Sequence, residues 1–342
     1  MQGTVSNHPG GTYAEIKRII EAEGLLTLQP LYYWFKFITT GAALGVGVWL
    51  ALYLDNTALL LLTALYLGLV FGQIETLGHD VGHLQVIRGR RRLMNLTGVI
   101  FGNLFMAFSY THWIAKHNRH HAYPNHLELD PDIQYPILSL SAQDVSTRTG
   151  PIRFIIAYQA FFFLLFIPFQ PIGQRVGSII HIAGGGPRYT AAEAIATLVH
   201  FGVYSYILFQ FGSWPLAIAF VAVHQGTLGI FNGLVFTPNH AGMPLVTDET
   251  RMDFLHEQIE TARNIRGGLV ADFMYGGLNY QIEHHLFPTM PRNNLHRAQP
   301  IVAEFCKKES IPYHETTVWG AYRELFGFLH RVSAPLRRSA HG

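Results

Sequence analysis

The sequence predicts an all-α integral membrane protein: four transmembrane helices in two hairpins, with a cytoplasmic helical cap. Three observations predict it. Of 342 residues, 49% are hydrophobic and only 13% charged, where soluble domains carry about 25% charged residues. Four apolar stretches reach the roughly 20 residues that a bilayer crossing takes. The Lys and Arg residues leave the two shortest connections bare.

The elements follow in chain order. Near the start, "HPGG" (8–11) resembles the haem-ligand motif of b-type cytochrome domains. The next histidine after His8 is His79, so no second axial ligand lies near it, and the stretch reads as a turn. Residues 13–23, "YAEIKRIIEAE", put Ile16, Ile19 and Ile20 on one face ahead of Gly24. This predicts a short amphipathic helix lying on the membrane surface. The spans are predicted over 33–54, 57–76, 191–211 and 214–237. Asp55 and Asn56 separate the first pair, and Gly212 and Ser213 the second. Thr190 with Glu193 has the spacing of a capping box opening the third span.

Two further apolar runs, 93–109 and 151–172, are predicted as interfacial or buried helices that do not cross. The first holds Asn95, Gly98, Gly102 and Asn103, and the second is broken by Pro168 and Pro171. Charge agrees with four spans. Lys17, Arg18 and Lys36 are the 3 cations at the N-terminal end, 10 lie between the hairpins and 11 after the second. The positive-inside rule then places both termini and the central region in the cytoplasm. The expected organisation is an amphipathic N-terminal segment (1–32), a region of transmembrane and interfacial helices (33–237) and a cytoplasmic C-terminal cap (238–342).

Composition also excludes functions. A net charge of +2 without a Lys/Arg-rich tract gives no reason to expect a nucleic-acid partner. Cys306 is the single cysteine, so the chain has no internal disulfide and no thiolate metal site. No dinucleotide fingerprint or P-loop is present. Histidine is the anomaly, with 19 against 24 Lys plus Arg. Any bound metal is expected to take imidazole ligands.

Three histidine clusters carry that chemistry. "HDVGH" holds His79 and His83 at i, i+4. "HNRHH" holds His117, His120 and His121 at i, i+3, i+4. "QIEHH" holds Gln281, His284 and His285 at the same spacing. On a helix these positions share one face, and the four-span arrangement puts all three clusters on one side of the bilayer. Seven imidazoles exceed the four ligands of one zinc, so a di-metal site in the cap is expected. Iron is favoured, because nothing else in the chain supplies redox chemistry. "HDVGH" is not a metalloprotease HExxH, since Asp80 stands where the glutamate is needed. His240, in "FTPNH", is the candidate eighth ligand. His112 and His126 flank the second cluster, as outer-layer or interfacial residues. His200 and His224 lie inside predicted spans and are read as structural hydrogen-bonding groups. Glu283 points off the ligand face, as does Asp80. Asp130 and Asp132, in "DPD", either orient the second cluster from behind or cap a turn.

"HDVGH", "HNRHH" and "QIEHH" resemble the three histidine boxes of membrane fatty-acid desaturases, over about residues 30–310. Glutamine opening the third box, with "TARNI", "GGLNYQIEHHLFP" and "HHAYPN…DPD", resembles the front-end branch, which includes linoleoyl-CoA-type and Δ6-like enzymes. The resemblance implies a non-haem di-iron centre, with His79, His83, His117, His120, His121, His284 and His285 as ligands. His240 takes the place of the family's further ligand, and Gln281 stands where many relatives carry another histidine. The implied activity is insertion of a double bond into an acyl chain, with O2 and two external electrons. The substrate is then a fatty-acyl chain linked to CoA, a carrier protein or a lipid. The electrons come from a separate donor such as a ferredoxin or a b-type cytochrome with its reductase, and "RGRRR" (88–92) is a candidate docking site or a headgroup anchor. Trp113, Tyr110, Phe108 and Phe236 are candidate walls of an acyl tunnel. Di-iron hydroxylases, acetylenases and conjugases share the boxes and stay open as alternatives. A non-enzymatic membrane metal-binding protein is disfavoured, because its ligands would line a path across the bilayer.

Overall fold

The computed structural model describes residues 12–135, 137–185 and 190–338. His8 and the "HPGG" stretch lie outside the described residues. Nearly all regular structure is helical. α1 (Tyr13–Ala22) is amphipathic as expected. Its apolar face is covered by protein, not lipid: Ile16 and Ile20 are fully buried among Leu255, Ile282, Leu286 and Val302. The Tyr13 hydroxyl donates to the Leu286 carbonyl at 3.0 Å. The stripe that reads as lipid-seeking is one wall of a core whose other walls come from the far end of the chain.

α2 (Pro30–Tyr53) and α3 (Thr57–Gly82) form the first hairpin. Asn56 caps α3, its Oδ1 accepting the Leu59 N–H at 3.1 Å. α3 runs past the predicted span end at 76 and carries His79 on its last turn. α4 (Arg91–Val99) continues into a π-helical turn (Ile100–Phe105), and α5 (Tyr110–Ala122) leaves at 109° to it. Gly102 permits the bend, since a Cβ there would lie 3.0 Å from the Phe108 carbonyl. The chain returns toward His83, which faces His117 of α5.

Short helices α6 (Ala142–Thr147) and α7 (Gly150–Ala157) lead to α8 (Gln159–Phe166), a 3₁₀ turn (Ile167–Phe169) and α9 (Gln170–Ala183). α10 (Thr190–Phe209) follows, and after Gly212 and Ser213 comes α11 (Trp214–Phe236). α3 and α11 form the centre of the bundle. A Cβ on Gly68 would meet Thr227 at 2.6 Å, and one on Gly72 would meet Phe231 at the same distance. Asn232 of α11 donates to the Glu75 carboxylate of α3 at 2.8 Å. Among the described residues, five helical stretches are long and apolar enough to cross a membrane, the four predicted spans and Gln159–Ala183, and the bent pair Arg91–Phe105 with Tyr110–Ala122 passes only if taken together. Gln159–Ala183 overlaps the 151–172 run, predicted not to cross, and extends it by joining α8 to α9 across Pro168 and Pro171 into 25 residues.

The remaining elements are α12 (Phe254–Glu260), β1 (Asn264–Arg266), α13 (Gly268–Met274), α14 (Gln281–Leu286), α15 (Arg292–Glu309), β2 (Glu315–Thr317), α16 (Val318–Val332) and α17 (Ala334–Arg338). β1 and β2 pair in parallel, with Ile265 opposite Thr316. α1, α12, α14 and α15 share one hydrophobic core.

The 3₁₀ turn between α8 and α9 rests directly on α11 at Gly229. A Cβ there would meet the Ile167 carbonyl and come within 2.7 Å of the Pro168 carbonyl. Gly229→Ala is therefore expected to destabilise the protein by about 1–3 kcal/mol. Gly226→Ala, whose new Cβ would sit 3.8 Å from Pro168, is expected to be neutral or to gain up to about 1 kcal/mol from helix propensity. Thermal unfolding in detergent checks the pair.

Candidate metal centre

The three histidine boxes meet although they lie on α3, α5 and α14. Among the described residues, two groups made of histidine alone form, each with ligand atoms within 4.8 Å of one another, and a third set joins His120 to Asp130 and Asp132. The first joins His79, His83, His117, His121 and His284, and the second joins His120, His240 and His285. Helix geometry explains the division. Neighbours on a helix are turned by roughly 100°, so His120 and His121 face different groups, as do His284 and His285. His117 and His121, one turn apart, face the same group. The two centres are adjacent, since the His121 and His285 rings stack at 4.3 Å.

The first group is a set of nitrogens aimed at one another. His83 Nε2 lies 2.8 Å from His117 Nε2. His117 Nε2 is 3.2 Å from both His79 Nε2 and His121 Nε2. His284 Nε2 is 3.2 Å from His121 Nε2. The buried Nδ1 atoms of His79, His121 and His284 have no hydrogen-bond partner. Burial, with His79, His83 and His121 alongside, holds His284 well below the ordinary imidazole range. Burial, with His121 and His240 alongside, does the same for His285. These rings are neutral at pH 7, which is the ligand form. Neutral imidazoles cannot all satisfy one another in such a cluster, and a bound cation resolves the conflict.

The second group is held from behind. His120 Nδ1 is 2.9 Å from Asp130 Oδ2, His240 Nδ1 is 2.9 Å from the Thr261 carbonyl, and His285 Nδ1 is 2.9 Å from Gln258 Oε1. Each oxygen fixes a proton on Nδ1 and leaves the Nε2 lone pair as the ligand position, which at His240 meets the Gln281 amide. His285 Nε2 is buried without a partner. The all-imidazole donor set and these fixed tautomers fit two metal ions.

The remaining sequence candidates divide. Gln281 joins the second group: its amide Nε2 is 2.9 Å from His240 Nε2, and its Oε1 accepts from Asn239 at 3.1 Å. Asp130 is fully buried behind His120 and also accepts the Asn125 N–H at 2.8 Å. Asp132 pairs with Lys116 at 2.7 Å and lies 3.9 Å from His120. His112 is in neither group and packs on His181, ring centroids 4.9 Å apart. His126 holds a turn, its Nδ1 accepting the Glu128 and Leu129 N–H groups at 3.3 Å. His200 Nδ1 bonds the Leu104 carbonyl at 3.0 Å, and His224 Nδ1 bonds the Tyr204 hydroxyl at 2.8 Å. Glu283 points away from the metals, toward Asn264 and Tyr313.

Sequence reasoning missed three supports. Gln258 and the Thr261 carbonyl lie outside the boxes, and no periodic pattern marks them. Asp80, read as pointing off the ligand face, sits with Oδ1 at 3.7 Å from His79 Nδ1 and is ion-paired with the buried Arg292. Arg292 also donates to the Thr76 carbonyl, which ties α15 to the last turns of α3. Asp130→Asn keeps the shape but loses the charge behind His120. Metal affinity is expected to fall by about 10–100-fold, read by elemental analysis after dialysis against a chelator.

Comparison with known proteins agrees with this site. Residues 56–317 match the family model described as fatty acid desaturase. The chain is 33% identical over 317 residues to a Delta(8)-fatty-acid desaturase of Euglena gracilis, covering 88% of this chain and 74% of that protein. It is 31% identical over 316 residues to the Delta(6)-fatty-acid desaturase fat-3 of Caenorhabditis elegans, covering 88% and 70%. It is 29% identical to the Delta(5) fatty acid desaturase fat-4 of the same organism, covering 88% and 69%. With its three boxes gathered into two adjacent imidazole groups, the chain belongs to the fatty acid desaturase family.

Proposed function

We infer that the protein is an oxygen-dependent fatty-acyl desaturase working at a di-iron centre held by His79, His83, His117, His121 and His284 on one side and His120, His240 and His285 on the other. The convergence of eight imidazoles from four separate segments is the observation that carries this reading. When bound, the iron pair supplies the redox power to remove two hydrogens from adjacent unactivated methylenes, while O2 takes these hydrogens, two external electrons and two protons to give two waters. The chain's own residues do the positioning. Asp130, Thr261 and Gln258 aim three ligands from behind. Gln281 supports His240 where a further imidazole is absent. Trp113 stacks on His117 at 4.7 Å and closes one side of the first group. Phe108, packed with Val70, Ile74 and Leu228, makes the adjoining region apolar. Tyr110, against Gly98 and Gly102 at the bend before α5, and Phe236, packed with Phe231, Val235 and Tyr275, are further candidates for its walls. Such a lining aligns an acyl chain and excludes water.

We place four helices across the membrane: α2, α3, α10 and α11. The α4–α5 pair turns back, and the α8–α9 stretch has both ends on the histidine side. Gln159 donates to the Leu329 carbonyl at 3.1 Å, and His181 lies 3.4 Å from Thr111 at the start of the box-two helix. Residues 12–32 and 238–338 then form one cap over the site, on the cytoplasmic side as the Lys and Arg distribution indicates. The named relatives act on fatty acids, and an acyl chain held by CoA, a carrier protein or a lipid is the substrate class here. An external carrier such as a ferredoxin or a b-type cytochrome supplies the electrons.

Lipid analysis of cells expressing the protein tests the reaction. Fatty acids lacking two hydrogens are expected, and His284→Ala abolishes them. Products that instead gain one oxygen would replace desaturation by hydroxylation. Elemental analysis is expected to give two irons per chain. For the electron donor, Arg88 has a structural task, donating to the Leu26 carbonyl at 2.8 Å. The docking test therefore uses the exposed Arg90, Arg91 and Arg92. Their joint replacement by Ala is expected to weaken turnover with a purified donor most at low salt, and unchanged kinetics would remove this docking surface.

A further inference from the structure

The cap carries large apolar side chains that nothing in the fold covers. On α13, Leu269 is 88% exposed, Val270 75% and Phe273 53%, and on α16 Trp319 is 79% exposed. They form one neighbourhood. β1 and β2 pair through Arg266 and Thr317, and a Cβ on Gly267, just before α13, would lie 3.2 Å from Val318. Trp319 follows directly and opens a groove of about 490 Å³ shared with Tyr322, Arg323 and Phe326. A contiguous exposed patch of this kind marks an interaction surface.

Three observations identify the occupant. First, the patch adjoins the membrane-spanning bundle. Lys36 Nζ sits 5.1 Å over the Phe273 ring, and the Gln73 amide donates to the Phe273 carbonyl at 3.0 Å. α13 is thereby level with the turn of α2 that exposes Trp34, Phe35 and Ile38. Second, the rim is cationic. Lys36 and the exposed Arg323 stand where the phosphates of a leaflet would lie, with their stems along apolar surface. Third, the composition is that of an interfacial anchor: aliphatic and aromatic groups on one side, a Trp at the boundary and cations at its edge.

We propose that α13 and the start of α16 dip into the histidine-side leaflet of the bilayer, with Leu269, Val270, Phe273 and Trp319 among the acyl chains and Lys36 and Arg323 at the phosphates. The cap is a second membrane-contacting layer and not only an aqueous domain above the spans. Because α13 leads through Gly276 and Gly277, with φ of +58° and +84°, into the third histidine box, its depth fixes how far that box stands from the lipid. This surface does not depend on which reaction the metal centre performs.

The lone Cys306 is fully buried, so single new cysteines take a nitroxide label selectively. Leu269→Cys, Val270→Cys and, as an aqueous control, Glu249→Cys on the exposed 248–250 loop are labelled in the full chain in phospholipid nanodiscs. Positions 269 and 270 are expected to collide mainly with oxygen and little with a water-soluble nickel chelate, with position 249 showing the reverse. Chelate access at 269 and 270 equal to that at 249 overturns the proposal. So does protection from both reagents, which would mean a protein partner or a second copy. As a check that needs no label, lipids brominated near the glycerol are expected to quench native emission more than that of Trp319→Phe. Equal fractional quenching in the two proteins also overturns it.

Discussion

Eight imidazoles gathered in a dry interior, with a carboxylate hydrogen-bonded to only one of them (Asp130 on His120), are the constraint on which the rest of the structure depends. Burial disfavours the protonated ring, and each added imidazole raises the cost of a second charge nearby. The rings then present lone pairs to one another, an arrangement that protein groups alone cannot satisfy. Holding it requires a rigid frame from several directions. α3 supplies His79 and His83 at its last turn, α5 supplies three rings, and α14 supplies two. The frame around them is correspondingly polar and buried, with Asp130, Gln258, Arg292 and Asp80 all largely inaccessible to water.

The paired histidines show how helix geometry serves two centres at once. A single turn of α5 feeds both groups, because His120 is rotated away from the face shared by His117 and His121. α14 repeats the device in six residues. The difference between the groups lies behind the rings. The second has an oxygen on each Nδ1, whereas in the first His79, His121 and His284 have none within hydrogen-bonding distance. The second group is thus the more firmly oriented before any metal arrives.

Much of this was legible in the chain. The i, i+3, i+4 spacing exposes the boxes, and hydropathy with charge places them on one side. His240 was legible from its place just after the fourth predicted span, on the side of the three clusters, and again through the resemblance, although a single histidine carries no spacing signal. Gln258 and Thr261 were not legible, because their roles arise from contacts across more than twenty residues that leave no period. Asp80 stands off the ligand face as read, but its partner Arg292 was not legible from one helix alone, because it comes from α15. The amphipathicity of α1 was visible, but not what covers it, since a sequence pattern says that a face is apolar and not whether lipid or protein meets it. The stretch 159–183 shows the same limit for spans: length and hydropathy admit it as a crossing, and no sequence pattern reports that its ends bond to Leu329 and lie beside Thr111.

One buried carboxylate links the two halves of the molecule. Glu193, near the start of α10, accepts the Ser109 hydroxyl and the Thr111 N–H, both at 2.7 Å. Ser109 is the cap of α5, so an acid from the second hairpin stands at the positive end of the helix dipole that carries the second box. The hairpin and the ligand-bearing helix are thereby geared together. Any tilt of α10 is transmitted along this strut to His117, His120 and His121.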